Sequence, residues 1–318
     1  MDQDALISRL PASIASRVRS AKLADGVATL VLDVSGLDAS KRGELEEAVR
    51  DILGQLDEIA EVRVAMTAEK VQRRIVAIGS GKGGVGKSTL TANLAVALHR
   101  MGRKVGVVDA DIYGPSQPTL LDNQGERPQA EEQKLIPVQS PHGIPVLSMG
   151  HLVEPGKAIA WRGPMAGNAL GQLIDAHWGE VDTLLVDLPP GTGDVQLSML
   201  QKHKPAGAVI VSTPQDLALI DAQRAAQLFD AAGVPLIGLV ENMAGYVCPN
   251  CGEISDPFGQ GGVEAAAKAM DVPFMGRIPL NMAIREASDG GTPPATRDDD
   301  TSAPFRQIAE QLAAWLDA

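Results

Sequence analysis

Six short, mostly apolar segments follow Arg74, and they constrain the fold of this chain more than any other feature. In order they read RIVAIGS, KVGVVDAD, TLLVDLP, GAVIVSTP, PLIGLVENM and FMGRIPL. Strands that are apolar at nearly every position are buried on both faces, which is typical of a parallel sheet covered by helices on each side. Helical patterns separate most of them, at 88–101, 166–178, 217–232, 263–270 and 304–318. This alternation predicts an α/β domain with a doubly wound, mostly parallel sheet over residues 74–318.

The first 68 residues have a different pattern. Residues 26–33 alternate between apolar and polar positions, as strands do, and residues 61–66 predict a second strand. Between them, residues 40–56 carry apolar side chains three or four positions apart, which predicts an amphipathic helix. We therefore expect a small α+β domain at 1–68 and a polar linker at 67–73. Two polar stretches of the larger domain are expected to be surface loops, at 122–142 and 288–303.

The charge of the chain limits its partners. It has 28 Lys and Arg residues against 40 Asp and Glu residues, a formal net charge of −12. A chain this acidic is a poor general ligand for nucleic acid or for an anionic membrane, so we expect neither partner. No apolar run approaches the roughly 18 residues of a membrane helix, and the N-terminus lacks the layout of a signal peptide. A cytoplasmic protein is the expectation.

A glycine-rich segment, GKGGVGKS at 81–88, satisfies the pattern G-x-x-x-x-G-K-[ST] between a strand and a helix. Its glycines let backbone N–H groups converge on phosphate oxygens, and the helix N-terminus adds its dipole. Lys87 is expected to bridge the β- and γ-phosphates of ATP, and the Ser88 hydroxyl to bind Mg²⁺. A glycine-rich turn without a ligand is the alternative. The predicted nucleotide-binding residues here are Gly81, Lys82, Gly83, Gly84, Val85, Gly86, Lys87, Ser88 and Thr89.

Polar residues also follow the apolar strands, at the sheet edge where α/β folds form their ligand crevice. Asp109 and Asp111 follow the second strand, and Asp187 ends the third. Such carboxylates can bind Mg²⁺ or hold the attacking water; turn capping is the alternative for the first two. Asn242 ends the fifth strand. Its amide has a donor and an acceptor, which suits the edge of adenine, with a simple cap as the alternative.

The two cysteines, Cys248 and Cys251, form a C-P-x-C sequence, and the chain has no others. Such a turn presents two sulfurs in one direction, as metal-binding knuckles do. Iron–sulfur clusters and structural zinc usually need four ligands, which two chains on a two-fold axis would supply. A bridging iron–sulfur cluster therefore ranks first, a bridging zinc ion second and a redox-active pair third. The polar, glycine-flanked surroundings disfavour inert core cysteines.

Several segments of the chain resemble known ATPases. KGGVGKST is similar to the deviant Walker A motif of the P-loop ATPases that include the nitrogenase iron protein and the septum-site and chromosome-partitioning ATPases. The whole arrangement resembles the Mrp-type iron–sulfur cluster carrier ATPases. The matching segments are GSGKGGVGKST, DADIYGPS, WRGPM at 161–165, DTLLVDLPPGTGD, ENMAGYVCPNCG and IREASDGG at 284–291. Residues 1–68 resemble the small α+β domain often fused ahead of this ATPase, without the D-P-E motif that it usually carries near its start.

The resemblance implies roles for charged residues of the predicted site. The extra lysine, Lys82, would contact nucleotide phosphate across a dimer interface, in a role comparable to an arginine finger. A solvated loop lysine is the alternative. Asp111 would position the attacking water, and Asp109 would lie nearer the outer shell of Mg²⁺. Asp187 would be the Walker B aspartate.

The resemblance also implies the remaining parts of a nucleotide site. The PPGTGD segment at 189–194 would be the switch II loop, which senses the γ-phosphate through backbone N–H groups. Asn242 would contact the purine, together with backbone around Pro279. The residues expected to take part in catalysis are Lys82, Lys87 and Asp111.

The function that the resemblance implies is that of a slow, homodimeric ATPase that carries an iron–sulfur cluster. It would bind a [4Fe–4S] cluster between two protomers and pass it to apo iron–sulfur client proteins. Its expected cofactors are ATP, Mg²⁺ and the cluster, with zinc as the alternative occupant of the cysteines. The alternative function is a partitioning or positioning-type dimeric ATPase with a structural zinc between subunits. A membrane-binding version should end in a basic amphipathic helix, which PFRQIAEQLAAWLDA is not.

Overall fold

The computed structural model describes residues 6–35, 37, 39–67, 72–112, 114–131, 133–152, 163–248 and 250–318. The chain divides into two compact units, Met1–Gln72 and Arg73–Ala318. Most of the expected linker at 67–73 and the start of the WRGPM segment at 161–165 lie outside the described residues.

The smaller unit packs a helix against a three-stranded sheet. Its elements are α1 (Ala12–Ala15), β1 (Val18–Ala24), β2 (Val27–Asp33), α2 (Ala39–Gly54) and β3 (Glu61–Thr67). Strands β1 and β2 are antiparallel, whereas β3 runs parallel to β2 because α2 carries the chain back across the sheet. Val49 and Leu53 of α2 are fully buried in the same core as Leu30 and Leu32 of β2. The sequence pattern predicted β2, α2 and β3 but not β1.

The larger unit contains a mostly parallel sheet of nine strands in its described part. Eight of them have the order β13-β12-β11-β4-β10-β5-β9-β8, and β14 pairs with β12. Only the β8–β9 and β12–β13 pairs in this sheet are antiparallel. The strands of this unit, with the separate β6–β7 hairpin, are β4 (Arg74–Ser80), β5 (Val105–Asp109), β6 (Gln129–Glu131), β7 (Lys134–Ile136), β8 (Val138–Gln139), β9 (Pro145–Ser148), β10 (Thr183–Asp187), β11 (Gly207–Ser212), β12 (Leu236–Val247), β13 (Ile254–Ser255) and β14 (Phe274–Leu280).

Helices cover both faces of this sheet, as the sequence predicts. Alternate residues of β4 enter different cores: Val76 and Ile78 pack with α3 and α10, whereas Ala77 packs in the core that includes α5 and α7. This arrangement confirms the doubly wound α/β fold. The helices are α3 (Lys87–Arg100), α4 (Gln117–Leu120), α5 (Gly163–Ile174), α6 (Asp194–Lys202), α7 (Asp216–Ala231), α8 (Gly262–Ala269), α9 (Met282–Asp289) and α10 (Ala303–Asp317).

The two polar stretches expected to be surface loops are more ordered than the sequence suggests. Residues 122–142 contain the β6–β7 hairpin and strand β8, which pairs with β9 at the sheet edge. Within 288–303, Ala295 is 4% exposed, and its N–H donates to Asn93 Oδ1 on α3 at 2.8 Å. Short strands and buried turns of polar composition give no periodic signal, so the loop interpretation was wrong for these parts.

Within the described residues, no helix combines the length and the apolar character needed to cross a bilayer.

Candidate functional site

The glycine-rich segment 81–88, here called the P-loop, connects β4 to the first turn of α3. Gly84 and Gly86 have φ angles of 77° and 83°, in the left-handed region that side chains rarely adopt. A Cβ atom on Gly86 would lie 2.0 Å from Asn242 Nδ2, and one on Gly81 would lie 2.1 Å from the backbone of Asp221. Glycine is therefore required at Gly86 by packing as well as by conformation, at Gly81 by packing and at Gly84 by conformation.

Five of the predicted polar or charged site residues line one cavity of about 250 Å³ at this loop. They are Lys82, Lys87, Ser88, Thr89 and Asp111, and Pro190 forms part of the wall. We call this space the P-loop cavity. Asp109 and Asp187 are fully buried, and they lie at the ends of adjacent paired strands, β5 and β10. The structure thus gathers the predicted carboxylates at one sheet edge, where Asp111 is half-buried and the other two are fully buried.

Lys87 and Asp187 form a buried ion pair. The Lys87 ammonium donates to Asp187 Oδ1 and lies 3.2 Å from Ser88 Oγ, and the residue is only 5% exposed. Asp187 also accepts hydrogen bonds from Thr91 Oγ1 at 3.3 Å and from Gln117 Nε2 at 2.9 Å. Every charge in this cluster therefore has a partner, as burial requires.

The second buried carboxylate, Asp109, is held by three donors. It accepts from the N–H groups of Asp111 and Gln117, both at 3.1 Å, and from Ser148 Oγ at 3.0 Å. Burial, together with the nearby charge of Asp187, raises the pKa of Asp109 to about 7. A divalent cation beside it would reverse that effect by favouring the ionised form.

The donor set around this cluster fits Mg²⁺. Ser88, Asp111 and Asp187 offer only oxygen ligands, which this hard cation prefers. Gln117, also fully buried, adds an amide oxygen, Oε1, that has no hydrogen-bond partner in the structure. Gln117 donates its amide N–H groups to Asp187 and to the Ser88 carbonyl at 3.0 Å, so it links the cluster to the P-loop.

Lys82 and Asp111 have contacts that their motifs do not specify. The Lys82 ammonium lies 3.4 Å from Gln215 Oε1, at the start of α7, and is half-buried. Asp111, at the mouth of the cavity, accepts from the Gly114 N–H at 3.3 Å.

Asn242 has a structural contact with the P-loop. Its Nδ2 donates to the Val85 carbonyl at 2.7 Å, and the residue is 8% exposed. The Nδ2 group of the amide thus supports the P-loop backbone, whereas the sequence suggested that the amide contacts adenine. Pro279 lies on β14, next to Ile278, which pairs with Asn242.

The loop after Asp187 is held by a glutamine on α6. Gln196 Nε2 donates to the carbonyls of Pro189 and Gly191, both at 2.6 Å, and its Oε1 accepts from the Gly193 N–H at 2.5 Å. The Gly191 N–H donates to the Ser80 carbonyl at 3.0 Å, which ties this loop to the end of β4. This is the segment that the sequence identified as resembling switch II.

The two cysteines lie between β12 and β13, which pair as an antiparallel hairpin. The Cys248 N–H donates to the Glu253 carbonyl, and the Gly252 N–H donates back to the Cys248 carbonyl, both at 2.9 Å. Backbone N–H groups of Cys251 and Asn250 point at the Cys248 sulfur and lower the pKa of its thiol. Cys251 is exposed and Cys248 is half-buried. Among the described residues, no group of three or more His, Cys, Asp or Glu side chains is arranged to hold a metal ion.

Sequence reasoning missed four buried polar residues of this site. None belongs to a phosphate-binding motif, and each contacts a predicted carboxylate or the loop that resembles switch II. The signal that could have marked them is a polar residue at an apolar helix or strand position. They are Thr91, Gln117, Ser148 and Gln196.

The chain is similar to known proteins over most of its length. A family model described as ParA, NUBPL iron-transfer P-loop NTPase, matches residues 71–313. An iron-sulfur cluster carrier protein from Escherichia coli (strain K12) is 45% identical over 248 residues, 77% of this chain and 67% of that protein. An iron-sulfur cluster carrier protein from Pseudomonas fragi is 43% identical over 281 residues, 85% of this chain and 97% of that protein.

Solved structures share the fold of the larger unit. A nucleotide-binding protein from Archaeoglobus fulgidus, in complex with ADP and with cobalt found in it, is 40% identical and has a TM-score of 0.62, covering 71% of this chain and 89% of that one. The cell division ATPase MinD from Pyrococcus furiosus is 27% identical and has a TM-score of 0.57, covering 76% of this chain and 99% of that one.

Proposed function

Because the chain belongs to the NUBPL iron-transfer P-loop NTPase family, whose model matches residues 71–313, we propose that it is an ATP-hydrolysing iron–sulfur cluster carrier. Two protomers hold one [4Fe–4S] cluster between their cysteines and pass it to apo-proteins. The names of the relatives from Escherichia coli and Pseudomonas fragi support the cargo.

The cysteine hairpin is the observation that carries this proposal. Cys251 is exposed, the Cys248 thiol is shifted toward the thiolate form, and the described residues offer no third ligand beside them. A cluster that needs four thiolates therefore requires ligands from another molecule. A second copy of this chain supplies two, and a site on the surface between two copies suits a cargo that must be given away.

The P-loop cavity supports the ATPase part of the proposal. ATP places its β- and γ-phosphates against the P-loop N–H groups, where Lys87 donates to them. Ser88 and Asp187 would hold Mg²⁺, which would neutralise charge on the phosphates when bound. Asp111, at the mouth of the cavity, orients the water that attacks the γ-phosphorus, and Lys82 of the partner subunit donates to the charge that develops.

Strand β12 connects the two sites. Asn242 on this strand supports the P-loop at Val85. The preceding residue, Glu241, is fully buried and accepts from the N–H groups of Gly261 and Val263 at 3.1 and 2.9 Å. These bonds fix the chain that returns from the cysteine hairpin. Strand β12 would thus transmit a shift of the P-loop on nucleotide binding to the cysteine hairpin that holds the cluster.

Substitution of Lys82 tests the ATPase mechanism. We expect Lys82→Ala to lower ATP turnover by about 10³-fold, the lower range for an arginine-finger-type group. The melting temperature should change little, because the 3.4 Å contact with Gln215 is long. Turnover is measured by phosphate release. Lys202→Ala is the matched control, since Lys202 makes a similar 3.5 Å contact with Asn168 Oδ1 on α5. This variant should hydrolyse ATP at the wild-type rate.

Mixed dimers decide whether Lys82 acts across the interface. Lys82→Ala and Lys87→Ala protomers are each expected to be inactive. When they are mixed, one site of each mixed dimer keeps its own Lys87 and receives Lys82 from the partner, so activity should return. Mixtures that stay inactive while forming dimers would place Lys82 in its own site.

Anaerobic reconstitution with iron and sulfide tests the carrier function. We expect about four iron and four sulfide ions per dimer on gel filtration, as a bridging [4Fe–4S] cluster requires. Transfer is then measured as the activity gained by the apo-form of a [4Fe–4S] enzyme after mixing. A dimer that holds zinc at its cysteines and accepts no iron would instead support a dimeric ATPase with a structural metal.

A further inference from the structure

We infer that Gln196 is a positioning residue for the ATPase reaction, because its side-chain amide holds loop 189–193 as one wall of the P-loop cavity. This inference rests on the ATPase part of the proposed function. It concerns a residue outside the phosphate-binding motif, whose side chain contacts loop 189–193.

The contacts of Gln196 all go to this one loop. Its Nε2 bridges the carbonyls of Pro189 and Gly191, and its Oε1 accepts from the Gly193 N–H. The residue is 2% exposed, so water does not compete for these bonds. An amide is the only uncharged side chain of this length that can donate twice and accept once at the same place.

The loop so held faces the P-loop. Pro190 lines the P-loop cavity together with Lys82, Lys87 and Asp111. Its Cγ lies 3.8 Å from the position a Cβ would take on Gly83. The loop begins two residues after Asp187, the last residue of β10. The γ-phosphate of bound ATP and its attacking water would therefore lie next to this loop, whose position depends on Gln196.

A helix cap is the competing explanation, and one substitution separates the two roles. Gln196 is the third residue of α6, and its Oε1 accepts from the backbone N–H of Gly193, as in a capping box. Glutamate serves equally well in that position. It has no N–H to donate when ionised, so the carbonyls of Pro189 and Gly191 lose their partner. Gln196→Glu thus keeps the cap and removes the loop contacts, whereas Gln196→Met removes both.

The experiment compares turnover with the binding of Mg-ADP and Mg-AMPPNP. For Gln196→Glu we expect a lower melting temperature, because a carboxylate replaces a buried amide beside two carbonyls. ADP affinity should stay within about twofold, whereas kcat and AMPPNP affinity should each be about tenfold lower, the size expected from two lost hydrogen bonds. Gln196→Met should show the same loss of kcat, which excludes the added charge as its cause. Gln201→Glu, on the exposed face of the same helix, is the control and should behave as wild type.

Other results would overturn the inference in separable ways. Wild-type kcat and AMPPNP affinity in Gln196→Glu would leave Gln196 as a helix cap only. Equal loss of ADP and AMPPNP affinity would make its role one of general stability. A wild-type protein that binds AMPPNP but does not hydrolyse ATP would contradict the ATPase proposal, yet the ratio of the AMPPNP and ADP affinities in Gln196→Glu would still decide the role of this residue.

Discussion

Lys87→Ala is expected to abolish ATP binding and to lower the free energy of unfolding by about 3–5 kcal/mol, the cost of leaving a buried charge without its partner. Lys87 is 5% exposed and pairs with the fully buried Asp187, while a second carboxylate, Asp109, lies on the adjacent strand. Removal of the ammonium leaves the two carboxylates to repel each other. The measurements are nucleotide titration and urea unfolding.

A double variant separates the two effects of Lys87. Lys87→Ala with Asp187→Asn has no unpaired charge at this position, so most of the stability should return while ATP binding stays lost. Lys104→Ala is the matched control, because Lys104 forms a 2.6 Å ion pair with Glu180 at the surface, where such pairs contribute about 0–1 kcal/mol. ATP binding by Lys87→Ala at wild-type affinity would contradict the assignment of the P-loop.

Cys251→Ser is expected to remove cluster binding and leave ATP binding unchanged. Serine keeps the size of the side chain, but its hydroxyl is a poor ligand for iron compared with a thiolate. Because Cys251 is exposed, stability should be nearly unaffected. After anaerobic reconstitution, the iron count should fall from about four per dimer to near zero. Mg-ADP affinity is measured on the same sample.

Ser255→Ala provides the control on the same hairpin, since Ser255 is exposed and pairs with Tyr246 through the backbone. It should bind a full cluster. Cys248→Ser should lose the cluster as well, with a larger loss of stability because that residue is half-buried. A full iron count in Cys251→Ser would exclude the cysteine pair as the cluster site and, with it, the carrier function.

The strands of the larger unit could be predicted because their burial on both faces leaves long apolar runs in the sequence. Val76, Ile78, Val209 and Val211 are examples, and each is fully buried. Strand β9 was missed because it is four residues long and follows a polar stretch. Strand β1 was missed because its inward positions alternate with Arg19 and Lys22, which left only a weak apolar pattern.

Some parts of the candidate site could likewise be predicted from the sequence, and others could not. The P-loop could be read from the sequence because phosphate binding fixes both residue type and spacing over adjacent positions. Gln117 could not, because its contacts with Asp187 and Asp109 join residues 70 and 8 positions away. The contact of Asn242 with Val85 spans 157 positions. Such pairings depend on the order of strands in the sheet, which no local pattern encodes.

The cysteine hairpin lies at the margin of the sheet, beyond its central strands. The cysteine hairpin follows the C-terminal end of β12, and its second strand, β13, consists of two exposed residues. Replacing residues 248–255 would leave every pairing among β4, β5, β10 and β11 intact. The P-loop strands and the cysteine hairpin are therefore separable in the fold, so a different hairpin could be grafted onto β12 to bind another group without altering the central sheet.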